Sequence, residues 1–260
     1  MGMMPEAARR NAGMHRQPFR LLPVVVASAL AFGIPYLAEH LVLAAGSGWS
    51  SAIPRDDRQL LAYLFFQHGT QALLSLLAMA CIQRFIKADF GMRWPSKLGP
   101  IAWAGLLSSA IFAAFTLVAY LPNLVTHQRP PIPHPLNPIS ILGWSLFQGG
   151  FVGPTEEVLF RSLLVGYLAA ELPGFIRLRW VNLSWATALA ALLFGLAHLP
   201  GNLDAPWWQN AFRVTYSFVL GMGYGYWFER SRSLVVPSIA HNITDLAALF
   251  VGFELSANWP

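Results

Sequence analysis

Seven stretches of this sequence are apolar over the length needed to cross a lipid bilayer, and that pattern constrains the fold more than any other feature. A spanning helix takes about 20 mostly apolar residues. The qualifying stretches are Leu21–Ala45, Gln59–Ile82, Ile101–Pro122, Pro138–Leu172, Val181–Leu199, Gln209–Phe228 and Leu234–Phe253. The fourth is too long for one straight helix. It contains Gly149, Gly150, Gly153 and Pro154, which predict a break or kink. Dividing it there would give an eighth span. The connecting loops are too short to build a soluble domain. The expected architecture is all-α, a polytopic membrane helix bundle of about seven spanning helices. A basic tail, residues 1–20, precedes one transmembrane domain, residues 21–260, and the chemistry-bearing part falls within 138–253.

Charge agrees with lipid as the main solvent. Only 11% of the residues are charged, against about 25% in soluble domains. The tail carries Arg9, Arg10, Arg16 and Arg20, but the apolar stretch behind it exceeds the roughly 7–15 residues of a cleaved signal. A retained first helix is therefore expected. Arg84, Lys87, Arg93, Lys97, Arg177, Arg179, Arg230 and Arg232 fall on the same side as the tail when the crossings are counted. Only Arg55, Arg58 and Arg129 fall on the other. Short-loop Lys and Arg mark the cytoplasmic side, so the N-terminus is expected in the cytoplasm and the C-terminus outside. Trp94, Trp180, Trp207, Trp208 and Trp259 lie near helix ends, where interfacial aromatics belong. The basic residues sit at membrane edges, facing anionic headgroups rather than nucleic acid. Cys81 is the only cysteine, so no internal disulfide is available.

Ionisable side chains inside a spanning helix are costly, and each is a candidate for function. The densest group is Glu156-Glu157-Val158-Leu159-Phe160-Arg161. Glu157 and Arg161, four residues apart, share a helix face and can pair. Glu156 is turned about 100° from Glu157 and is left for another partner. Pro154 could open a new helical piece at its first turn, placing Glu156 near a helix N-terminus. Farther along come Phe194 and His198, then His241, Asn242 and Asp245. A single His such as His198 is by itself as readily a packing residue. The His241–Asp245 run is more polar than a lipid-facing helix tolerates.

Taken in order, Glu-Glu-x-x-x-Arg, Phe-x-x-x-His and His-x-x-x-Asp resemble the signature of the CAAX-protease and bacteriocin-processing family, which includes the type II CAAX prenyl endopeptidases. Pro154, Thr155 and Phe160 also fit its first motif. The resemblance runs from about Gly149 to Phe253, and the first three helices carry no matching motif. It implies an intramembrane endopeptidase in which Glu156 is the general base that activates water. His198 would hold or polarise that water, and His241 would help stabilise the oxyanion. Glu157 and Arg161 would brace the helix, with Phe194 and Asn242 in support. The substrate would be a membrane-associated peptide or protein, and no cofactor is implied.

Two departures accompany the resemblance. Asp245 stands where prenyl endopeptidases have Asn. An ionised Asp repels an oxyanion, so Asp245 is either protonated or orients His241 while another donor, such as Asn242, faces the oxygen. Ser162 replaces a frequent Gly.

Three rival readings use the same residues. Glu156, His198, His241 and Asp245 are all possible zinc ligands, although no His-Glu-x-x-His motif is present. A transporter or proton relay would draw Glu39, His40 and His68 into its path. A catalytically dead scaffold would keep the fold alone. A Gly-x-Ser-x-Gly elbow is absent, and Ser145 has no supporting neighbours. The only lysines, Lys87 and Lys97, lie in a loop, which excludes a retinal Schiff base.

Overall fold

Helices that contact one another in lipid gain little from hydrophobic burial, because the surrounding chains are equally apolar. They associate instead where small side chains let backbones approach. The first helix shows this: Ala27, Ala31, Ile34, Ala38 and Val42 form its buried stripe, while Leu21, Leu22, Val25, Tyr36 and Leu41 point outward. The computed structural model describes residues 21–46, 57–126, 135–177, 179, 181–199 and 206–257. The basic tail Met1–Arg20, Arg55, Arg129 with most of the Pro-rich loop, Trp180 and Trp259 lie outside the described residues.

Seven helical runs follow in order. The first three are α1 (Leu21–Ala45), α2 (Asp57–Ile82) and α3 (Gly99–Thr126). The fourth is composite: α4 (Pro138–Leu146), a π-helical stretch Phe147–Val152, α5 (Gly153–Glu157), a second π-helical stretch Val158–Val165 and α6 (Gly166–Glu171). A two-stranded antiparallel hairpin, β1 (Phe175–Arg177) and β2 (Asn182–Ser184), leads to α7 (Trp185–Ala197), α8 (Trp207–Ser231) and α9 (Val235–Ala257). Among the described residues, α1, α2, Gly99–Thr116 of α3 and Val235–Leu255 of α9 are long and apolar enough to cross a membrane. Helix α7 is a shorter apolar helix. The chain is an all-helical membrane-type bundle with one small hairpin.

The fourth run forms the axis of the bundle. Every residue from 158 to 168 is buried, with Leu159, Leu163, Leu164 and Leu168 fully so. Helices α1, α2, α7 and α8 pack against this stretch, and α9 packs against α3 and α5. A helix enclosed on all sides can carry charged groups in a dry environment, which a lipid-facing one cannot.

Two expectations are corrected here. Of the break or kink expected at Gly149–Pro154, the break is absent: the run stays helical there, through a π-helical stretch. Proline removes an N–H and its ring presses on the carbonyl four residues back. That residue is Gly150, and the turn leading to it is the wide i→i+5 kind, which relieves the clash. The Thr155 hydroxyl lies within hydrogen-bond reach of the Phe151 and Val152 carbonyls, at 2.8 and 2.9 Å. The helical run thus continues through the proline, with the Thr155 hydroxyl adding a side-chain contact to the same turn. Glu156 consequently sits inside a continuous helical run, not at a free helix N-terminus. The second correction is at the fifth segment, whose helix begins at Trp185 rather than Val181. Ser184 caps it by accepting the Thr187 N–H at 2.9 Å, and Asn182–Ser184 pairs with Phe175–Arg177 instead.

Gly153 sets the distance between α5 and α9. Its N–H donates to Asn242 Oδ1 at 2.8 Å, and a Cβ at this position would collide with that oxygen and with the Ser238 carbonyl. On the side where α2 and α8 end, the loop after α2 is tied to the turn before α9. Leu234 N–H donates to the Gly91 carbonyl (2.9 Å), and the Ser233 hydroxyl donates to the Arg93 carbonyl (2.6 Å).

Candidate active site

The i, i+4 spacing of Glu157 and Arg161 places both on one face of the buried run. Arg161 Nε lies 3.0 Å from Glu157 Oε2, an ion pair although the N–H is not aligned as a hydrogen bond. The two side chains are 0% and 1% exposed. The guanidinium is held between aromatic faces, 4.5 Å from the Phe194 centroid and 5.2 Å from that of Tyr224. Its Nη2 donates to the Gly221 carbonyl at 3.3 Å. Phe194 also contacts the neighbouring rings. It touches Phe160 and His198 edge-on, at 4.9 and 4.7 Å between centroids.

Glu157 does more than pair with Arg161. Its Oε1 accepts a 2.8 Å hydrogen bond from His241 Nδ1, which fixes the imidazole of α9 against the buried run. The opposite ring nitrogen, Nε2, faces two further carboxylates: Asp245 Oδ2 at 3.5 Å and Glu156 Oε2 at 3.9 Å. Glu156 keeps 18% exposure, in contrast to the sealed Glu157. The sequence reading of one carboxylate balanced locally and one left over describes this geometry.

His198 is the C-cap of α7. Its Nδ1 lies 2.7 Å from the Phe194 carbonyl. A carbonyl only accepts, so Nδ1 carries the hydrogen and Nε2 is the remaining ring nitrogen. His198 does not touch Glu156 directly. It joins His241, Asp245, Phe194, Tyr224 and Gln148 in lining one cavity of about 320 Å³. Glu156 is not one of the lining residues; its link to the cavity is through His241, whose Nε2 lies 3.9 Å from Glu156 Oε2.

Asn242 lies elsewhere. Its carbonyl oxygen is held by the Gly153 N–H at 2.8 Å, so it joins two helices and does not line the cavity. The alternative in which Asn242 faces the oxyanion draws no support from this placement. Ser162, fully buried, contacts Met92 Sδ at 3.6 Å.

The structure adds one residue that the motifs did not contain. His68, on α2, places Nδ1 3.9 Å from Glu156 Oε1 and 3.4 Å from the Thr155 hydroxyl. Its ring meets Phe147 edge-on at 5.2 Å. Glu156 thus has an imidazole on each side, His68 and His241. Only the cost of placing an ionisable ring within a span pointed to His68 in the sequence. Of the other groups considered with it, His40 is exposed and bonds to Tyr36 of its own helix at 2.8 Å.

Among the described residues, no three His, Cys, Asp or Glu side chains are grouped to hold one ion. The arrangement offers a partly accessible carboxylate between two imidazoles, beside a cavity that carries a third.

Searches of the curated proteins and of the solved structures found no match to this chain. Residues 136–247 match the model of a protein family described as type II CAAX prenyl endopeptidase Rce1-like, and the matched span includes Glu156, His198, His241 and Asp245 but not His68. Over those residues the chain is similar to the type II CAAX prenyl endopeptidases.

Proposed function

We propose that this chain is an intramembrane endopeptidase that hydrolyses a peptide bond in a membrane-associated protein or peptide. The observation that carries the proposal is the position of Glu156. It is the one carboxylate of the pair not committed to Arg161, and it stands between His68 and His241 beside a cavity lined by His198. Peptide hydrolysis needs a base, a held water and donors for the developing oxyanion.

In the proposed reaction Glu156 takes a proton from water as the oxygen attacks the scissile carbonyl carbon. His198, its Nδ1–H held by the Phe194 carbonyl, offers Nε2 as the acceptor that orients that water. The carbonyl oxygen becomes an oxyanion. The tetrahedral intermediate then collapses with cleavage of the C–N bond, and the proton held by Glu156 passes to the leaving amine. Glu157 and Arg161 keep the run rigid and fix His241. With Nδ1 donating to Glu157, His241 can donate from Nε2 only when its ring is doubly protonated. Asp245, 3.5 Å from that nitrogen, orients it. The distribution of Lys and Arg between the loops supports a cytoplasmic N-terminus and an outer C-terminus.

The test is cleavage of membrane-tethered peptides, with and without a prenyl group, by the purified protein in liposomes. Cleavage of at least one class is expected. The rate should fall about 100-fold or more in His198→Ala and be indifferent to a chelator. Loss with chelator and rescue by zinc would move the chemistry to a metal. Ion-dependent solute uptake without cleavage would replace the protease by a transporter.

A further inference from the structure

An oxyanion needs donors already in place, and neither Asp245 nor Asn242 supplies one, which leaves His241 Nε2 as the only donor among the motif residues. Asp245 occupies the position of the family's Asn and faces His241. Asn242 is held by the Gly153 N–H and lies outside the cavity. His241 donates its Nδ1–H to Glu157. Helix α8 contributes Tyr216, Ser217, Leu220 and Tyr224 to the lining of the same cavity.

Tyr224 is 1% exposed, and its hydroxyl has no hydrogen-bond partner among the described residues. The Thr244 hydroxyl lies close to it without an aligned hydrogen bond, and donates its own proton to the Ala240 carbonyl at 2.9 Å. Burying a hydroxyl unpaired costs about 1–3 kcal/mol, so the orphaned group needs an explanation. Its ring is immobilised. It stacks on His241 with centroids 5.0 Å apart and planes 19° from parallel, and Arg161 covers it. A phenol held this way is a preorganised donor, of the kind oxyanion stabilisation uses. Gln148 also lines the cavity, but its flexible amide has no comparable anchoring.

We infer that the Tyr224 hydroxyl donates to the substrate carbonyl oxygen as it becomes an oxyanion, taking the role that Asn has where this chain carries Asp245. The inference rests on the protease reading above. The proton stays on the phenol throughout. The hydrogen bond shortens as water adds to the carbonyl carbon and lengthens again when the amine departs.

The experiment compares wild type, Glu156→Gln, Tyr224→Phe and the double variant Tyr224→Phe/Asp245→Asn in the liposome cleavage assay, with the unfolding temperature of each. Removing the hydroxyl alone should lower kcat about 100- to 1,000-fold, with KM unchanged and the unfolding temperature equal to wild type or raised, because the cost of the unpaired hydroxyl is relieved. Asn at position 245 should restore at least part of that loss, because its amide can donate where the phenol no longer does. A purely structural Tyr224 would show neither the kcat-only effect nor the rescue. If Tyr224→Phe turns over like wild type while Glu156→Gln does not, this inference falls and the protease reading stands. A slow Tyr224→Phe with a lowered unfolding temperature and no rescue also overturns it. If Glu156→Gln is as fast as wild type, or wild type cleaves nothing, both readings fall together.

Discussion

Two carboxylate–arginine pairs in this molecule have the same i, i+4 spacing and opposite surroundings. Glu157 and Arg161 are 0% and 1% exposed within the central run. Asp89 and Arg93 lie in the loop after α2, with side chains 44% and 54% exposed, and Arg232 reaches the same carboxylate at 3.8 Å. A surface pair of the second kind contributes at most about 1 kcal/mol, because water and salt screen it. The first pair has no water to fall back on. Its members are held by each other, by His241, by the Gly221 carbonyl and by two aromatic faces. Sequence spacing gives both pairs the same chance to form; enclosure decides which one organises chemistry.

The largest effect should come from Arg161→Met. It leaves Glu157 buried without its cation, a loss of about 3–5 kcal/mol when one partner of a buried pair is removed. Thermal unfolding in detergent should show a drop of that order, together with loss of cleavage. A variant as stable as wild type would place Glu157 in a wetter site than the geometry shows.

Next comes Gly153→Ala. The added methyl group would press on Asn242 Oδ1 and the Ser238 carbonyl, and overpacking of this kind costs about 1–3 kcal/mol. It should also slow cleavage, because α9 carries His241 past this contact. Asn242→Leu, which removes the acceptor from the Gly153 N–H, should destabilise by a similar amount. Unchanged melting in both would contradict the close α5–α9 approach.

The smallest effect should come from the exposed pair. Burial, the largest influence on Asp89, would raise its carboxyl. The Gly91 N–H, Arg93 and Arg232 together outweigh it and hold the group below the ordinary 3.8. A depressed carboxylate contributes stability above its unfolded value and loses it as pH falls through the folded one. Asp89→Asn should therefore cost less than about 1 kcal/mol at neutral pH, shrink further in high salt, and match wild type at strongly acidic pH. Cleavage should be unaffected. A large loss of activity in Asp89→Asn would erase the distinction between the two regions.

Much of this was legible in the sequence because lipid is an unforgiving solvent. A polar residue at depth needs a reason, which is why Glu156, Glu157, Arg161, His241 and Asp245 stood out. Apolar length alone placed α1 and α2 to within two residues. What stayed hidden depended on partners far along the chain. The backbone around Pro154 reads as a break unless the π-helical stretch leading to it is known. His68 has no fixed spacing to the motif; it meets Thr155 across 87 residues of sequence. Tyr224 sits among Gly221, Gly223, Gly225 and Tyr226, a run that reads as helix packing until its hydroxyl is seen unpaired. The hairpin strands, three residues each, are too short to leave an alternating pattern.

The most direct test is single-turnover cleavage by Glu156→Gln, set beside wild type at matched unfolding temperature. Glutamine keeps the shape of the side chain between His68 and His241 but cannot accept the proton of water. The rate should fall at least about 100-fold with the fold intact. An undiminished rate in a fully folded variant would show that the carboxylate between the two imidazoles is not the base.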